Sequence, residues 1–147
     1  MDPEIAGRNR AATDRLRTVA ARLSERELLV PIDPPWTASA LFAHMAFWDR
    51  FAHARWLRAR ATGGAMPLQI DEEPLETINE AALPGWAVVP PRVAVEECLT
   101  AAEAIDRLIE TLEADVVSGV VAAGRERLVD RSIHRSEHLA TIDRAYP

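Results

Sequence analysis

Residues 130–142 read DRSIHRSEHLATI, and the spacing within this stretch sets the expectation for the rest of the chain. Leu128, Leu139, Ile142 and Tyr146 recur at helical intervals, which predicts a final helix from about Arg125 to Ala145. On that helix His134 and His138 are four residues apart. Four residues turn a helix through about 400°, so both imidazoles lie on one face, beside the leucine stripe. Two such rings can grip one divalent cation. An isolated histidine pair of this kind is more often a surface or satisfied core pair, so a metal site needs a third ligand from elsewhere. Asp130, four residues before His134, extends the pair into a ladder. Arg131 and Arg135 project between the histidines and the apolar stripe. Buried arginines need partners, so they are expected to reach solvent, to pair with acids such as Glu137 or Asp49, or to face an anion-binding cavity. Solvated ends are the commoner case.

Working outward, the earlier segments follow the same helical period. Asp2-Pro3-Glu4 is a helix start, with Asp as cap and Pro at the first helical position. Ile5, Ala12, Leu16, Val19, Ala20 and Leu23 form its inner stripe. Ser24 and Glu27 make a capping box for a short turn through Leu29. Pro31, Pro34 and Pro35 forbid helix and call for an ordered turn. Trp36-Thr37 then opens a second long helix, capped by Thr37, that runs to about Ala61 and ends at Gly63-Gly64. Its inward face reads Leu41, His44, Met45, Trp48, Ala52, Arg55. A histidine in the middle of that stripe needs a partner. His53 lies nine residues from His44 and faces away from it, toward solvent or a subunit contact. Residues 63–91, with five prolines, read as a long connection with only a possible turn near Glu76–Ala82, and Trp86 as its apolar anchor. Val95, Leu99, Ala102, Ile105, Leu108, Ile109 and Leu112 mark a third helix from Pro91 to near Asp115. Val116–Gly124, with two glycines, reads as a loop with a broken turn.

The predicted fold is therefore all-α: one domain over residues 1–147, a four-helix bundle running up-up-down-down with a long crossover loop between the second and third helices. Composition agrees. About half the residues (48%) are apolar, and strand-favouring residues are scattered. The balance of 17 basic to 23 acidic residues, a net charge of −6, with no basic stripe, disfavours nucleic acid as a partner. All the basic residues are arginine, which excludes a lysine nucleophile or Schiff base. No apolar run is long enough to span a membrane. The single cysteine, Cys98, rules out an internal disulfide and sits on an apolar helical stripe, where a buried and inert thiol is expected. With no apolar leader at the N-terminus, that points to the cytoplasm. No nucleophile elbow, glycine-rich phosphate loop or cysteine pair is present, so serine hydrolases, nucleotide enzymes and redox dithiols are disfavoured.

In such a bundle the second and fourth helices can face each other across the core, and His44 would complete a three-nitrogen set with His134 and His138. Three protein ligands with open positions is the catalytic rather than the structural pattern. Trp36-Thr37 leading into LFAHMAFWDR, the loop text INEAALPGWAVVPPR and the terminal HRSEHLATI together resemble the DinB-like (damage-inducible) four-helix-bundle superfamily, which includes mycothiol- and bacillithiol-dependent transferases and isomerases. The resemblance covers nearly the whole chain. It implies a divalent metal, Zn or Ni, on His44, His134 and His138. Some members have another histidine where this chain has Asp130, which would orient His134 from outside the ligand set. Others use a glutamate ligand where this chain keeps histidine, and Glu137 points about 100° away from His138. The implied activity is thiol-dependent transfer or isomerisation of a small-molecule substrate, with a low-molecular-weight thiol as cosubstrate. Arg131, Arg135 and Trp48 are the candidate substrate contacts. The alternatives are a non-enzymatic bundle that sequesters a small molecule and a hydrolase using metal-bound water. Phe42, Phe47, Phe51 and Trp56 spread over more than one side of the second helix, which predicts a homodimer.

Overall fold

The computed structural model describes residues 2–63 and 72–147. Helix α1 spans Pro3–Arg22, α2 Glu25–Leu29, α3 Ala38–Thr62, α4 Glu72–Ala87, α5 Pro91–Glu110, α6 Ala114–Ala122 and α7 Ser132–Ala145. A two-stranded antiparallel ribbon, β1 (Pro31–Asp33) and β2 (Trp36–Thr37), links α2 to α3 and pairs Pro31 with Thr37 and Asp33 with Trp36. A 3-10 turn at Glu126–Leu128 precedes α7.

The local chemistry of the helix ends explains their positions. The Asp2 carboxylate accepts from the backbone N–H of Glu4 and Ile5 at 3.0 and 3.1 Å, satisfying two of the four unpaired donors at a helix start. Ser24 and Glu27 form the reciprocal capping box. Thr37 accepts from Ala40 N–H at 3.0 Å. Gly63 closes α3 at φ +61°, a left-handed conformation that glycine adopts without a Cβ penalty.

Helix α3 packs on α5, α4 and α7, and α1 packs on α5 and α7. Two apolar clusters result. One gathers Leu16, Phe42, Met45, Ala102, Leu139 and Ile142, and the other Ile5, Trp56, Ile105, Ile109, Val117 and Val129. Between them runs a buried polar layer of Asn9, Thr13, Asp49, Asp106, Arg131 and Arg135.

Several expectations need correction. The segment after the second long helix is not an irregular crossover: Glu72–Ala87 is helical, while residues 64–71 lie outside the described residues. Leu75, Ile78, Asn79, Ala82, Leu83 and Trp86 fall at helical spacing and are partly or fully buried. Pro74 lies in the first turn, where its missing N–H is not needed. Pro84 forgoes one backbone bond on an exposed face. The stretch read as a loop at Val116–Gly124 is largely α6, seated through buried Val117 and Val120. The last helix begins at Ser132, not Arg125, because Gly124 (φ +68°) and the 3-10 turn redirect the chain. Phe42 and Trp56 are not surplus surface. Phe42 is fully buried, and Trp56 is buried with its indole N–H donated to the Leu128 carbonyl at 3.0 Å. Phe51 and Leu57 are the large apolar residues α3 leaves exposed. Among the described residues no helix is long and apolar enough to cross a membrane.

Candidate metal centre

Helix α3 delivers His44 and α7 delivers His134 and His138, one helical turn apart as their spacing dictates. The three rings converge through the same atom. Nε2 of His44 lies 3.1 Å from Nε2 of His134 and 3.0 Å from that of His138, and the His134–His138 separation is 3.1 Å. Three imidazoles bound to one ion at about 2.0–2.1 Å each would set their nitrogens roughly 3 Å apart, so the spacing fits a shared divalent cation. The chemistry fits as well. A ring with its lone pair on Nε2 offers it to a cation, whereas three such lone pairs facing one another repel. Among the described residues these are the three histidine, cysteine or acidic side chains that meet the requirement of a shared ion. Nδ1 of His44 and of His134 is buried without a protein partner.

Electrostatics keep the rings neutral, the form that binds metal. Burial pushes the His44 pKa down to about 3, with His138 and Arg131 adding to the effect. Burial also holds His134 well below its usual value, helped by the Arg131 charge. His138 is lowered by burial, partly offset by Glu137. Aromatic rings wall in His44: Trp86, Trp36 and Trp48 stand edge-on to it at centroid distances of 5.1, 5.4 and 6.5 Å. The triad opens onto a cavity of about 580 Å³ lined by Trp36, Leu41, Trp48, Phe51, Leu75, Asn79, Arg127, Arg131 and Glu137, among others.

The orientation of α7 is set from outside the triad. Arg135 is fully buried and makes a two-pronged contact with Asp106 (Nη1 3.0 Å, Nη2 2.9 Å) and a bond from Nε to Asp49 (3.0 Å). It also donates to Thr13 Oγ1 at 3.0 Å, and Thr13 in turn donates to Asp106 at 2.7 Å. Asn9 accepts from Ser132 N–H at 3.0 Å and donates to the Val129 carbonyl at 2.8 Å, which fixes the first turn of α7. Arg135 is therefore neither solvated nor a substrate contact, and its guanidinium holds α1, α3, α5 and α7 together. Arg131 does line the cavity. Its Nε donates to Asp49 at 2.8 Å and its Nη1 to the Arg127 carbonyl at 2.6 Å.

Asp130 does not form a ladder with the histidines. It lies before the first turn of α7, where its carboxylate accepts from Arg8 Nε at 2.8 Å and from the Ser132 hydroxyl. It is not the orienter of His134. Glu137 pairs with Arg127 at 2.5 Å, and His53 sits half-buried outside the cluster. Trp48 keeps its expected place and donates its indole N–H to Asn79 Oδ1 at 2.8 Å, tying α4 to the cavity wall. Cys98 is fully buried, and burial pushes its thiol pKa up.

Sequence reasoning passed over Trp36 and Asn79 as site residues and Asn9, Thr13 and Asp106 as the supports of α7. A signal existed for most of them. Asn79 shares a helical stripe with Leu75, Ala82 and Trp86. Asn9 and Asp106 stand four residues after the inward Ile5 and Ala102, where an apolar residue belongs.

No curated protein and no solved structure matches the chain significantly. The family profile of the DinB superfamily matches residues 8–142. That match takes in α3, most of α7 and the three histidines of the triad, and the chain belongs to the DinB superfamily.

Proposed function

We propose that this protein is a divalent-metal-dependent enzyme acting on a small molecule, by thiol-dependent transfer or isomerisation. The observation that carries the reading is the triangle of Nε2 atoms at 3.0–3.1 Å facing a cavity of about 580 Å³. His44, His134 and His138 would hold the ion, and imidazole donors suit Zn and Ni. Such an ion supplies Lewis acidity and lowers the pKa of a bound thiol or water.

The chain's own residues do the rest. Trp36, Trp48 and Trp86 keep water from the His44 side of the triad. Leu41, Phe51 and Leu75 offer an apolar wall to the body of a substrate. The described lining holds no cysteine, and Cys98 is sealed in the core. A thiol nucleophile would therefore come from outside the protein, as a low-molecular-weight cosubstrate. The same observation supports water as a second reading, and activity without added thiol would identify a hydrolase.

The four long helices would form an up-up-down-down bundle in which α4 is part of the crossover. The protein would act in the cytoplasm, where the unpaired Cys98 stays reduced, as a homodimer using part of α3 around the exposed Leu57. Sedimentation velocity tests the dimer.

The direct test of function is elemental analysis of protein from metal-replete cells, followed by conjugation of an aryl halide with and without mycothiol or bacillithiol. Near-stoichiometric metal and thiol-dependent turnover, both lost in His138→Ala, are expected. Metal-free wild-type protein would end the proposal.

A further inference from the structure

We infer that the cavity takes a small organic acid, with its carboxylate on Arg131 and its apolar body against Trp48, Phe51 and Leu75. The inference rests on the cavity being the substrate site and adds the chemical class of the substrate. A guanidinium presents five N–H donors. Arg131 uses Nε on Asp49 and Nη1 on the Arg127 carbonyl. Its Nη2 group has no protein acceptor among the described residues, although Arg131 is only 6% exposed and lines the cavity. Nη2 is not sealed in the interior and so faces the cavity that Arg131 lines, where a ligand carboxylate accepts from it.

The neighbouring arginine shows that this is not the general state of the layer. Arg135 places donors from Nε, Nη1 and Nη2 on Asp49, Asp106, Thr13 and two backbone carbonyls. Arg127 and Glu137, which also line the cavity, pair with each other. Asp49 and Asp106 balance Arg131 and Arg135 in the layer behind. What remains on the cavity side is a directional donor beside apolar walls. That suits one carboxylate on a hydrophobic frame, held by a charge-assisted bond.

The test is calorimetric titration of the full chain, metal-free and zinc-loaded, with benzoate and with its neutral isostere benzamide. Benzoate should bind about ten-fold tighter than benzamide in both forms, the worth of one charge-assisted hydrogen bond. Arg131→Lys keeps a cation beside Asp49 but has no Nη2, and it should remove that advantage while leaving benzamide unchanged. A benzoate preference confined to the zinc-loaded form, or one that survives Arg131→Lys, overturns the inference. Should the variant not fold, nitrogen-15 spectra of the wild-type arginine side chains decide. The Arg131 resonances should move with benzoate and not with benzamide, and unmoved resonances overturn it. A chain that binds no zinc yet discriminates benzoate through Arg131 would sink the metal reading and leave this one standing.

Discussion

Helices α3 and α7 carry two polar clusters side by side, and the clusters are built on opposite terms. In the arginine layer each of two buried carboxylates, Asp49 and Asp106, meets a guanidinium, and Thr13 and two carbonyls take further donors. In the triad, His44, His134 and His138 aim like atoms at one another across 3.0–3.1 Å. Around Arg135 the first cluster is complete within the protein. The second has the geometry that a shared cation would complete. Asp49 follows His44 by five residues and Arg135 follows His134 directly, so the same helices present both clusters. The closed layer fixes the helices whose open neighbours make the site. Local arrangements that go against the stability of the fold are a mark of function.

The largest effect should come from breaking the closed cluster. Asp49→Ala leaves two buried guanidiniums short of a carboxylate, and a loss of about 3–5 kcal/mol is expected in urea unfolding. His134→Ala in metal-free protein should cost far less, because it relieves a repulsion as it removes a ring. Equal losses for the two variants would erase the distinction.

Acid should act on the open cluster. The His44 pKa is depressed from 6.5 to about 3 in the fold, so its contribution to stability is whole above pH 6.5 and drains as pH falls through that window. His134 and His138 shift in the same direction. The urea midpoint of metal-free protein should therefore drop between pH 7.5 and pH 5, and His44→Phe should flatten the drop. An identical pH profile in the variant would place the acid sensitivity elsewhere.

The smallest effect belongs to the pin between the cavity wall and α4. Trp48→Phe removes the 2.8 Å bond to Asn79 and should cost about 1 kcal/mol. Faster amide exchange is expected across Glu72–Ala87, with α5 unchanged. Unaltered exchange in α4 would show that Trp86 alone seats it.

The triad was legible because it needs only two kinds of information. The i,i+4 spacing of His134 and His138 is local, and the inward place of His44 follows from the stripe of Leu41, Met45 and Trp48. Arg135 was not legible in the same way. Asp49 was among the acids expected to pair with it, but its full burial and its other partners, Asp106 on α5 and Asn9 and Thr13 on α1, come from packing that residue spacing does not show. Asp130 failed for a local reason. A carboxylate that accepts from the hydroxyl two residues on competes with helix, so the ladder drawn through it began before α7 does. Prolines hid α4, because Pro74 and Pro84 weighed against helix; Pro74 sits in the tolerant first turn, and Pro84 lies inside the helix at the loss of one backbone bond. The all-α class survived these errors, since each mistaken loop turned out to be more helix.

The triad is proposed to hold one divalent ion. Calorimetric titration of the metal-free chain with Zn²⁺ at pH 7.5 tests that most directly. One equivalent per chain is predicted, with binding abolished in His44→Ala and in His138→Ala while the Asp49–Arg135 layer stays folded. Absence of stoichiometric binding in the wild type, or binding unchanged in both variants, would contradict it.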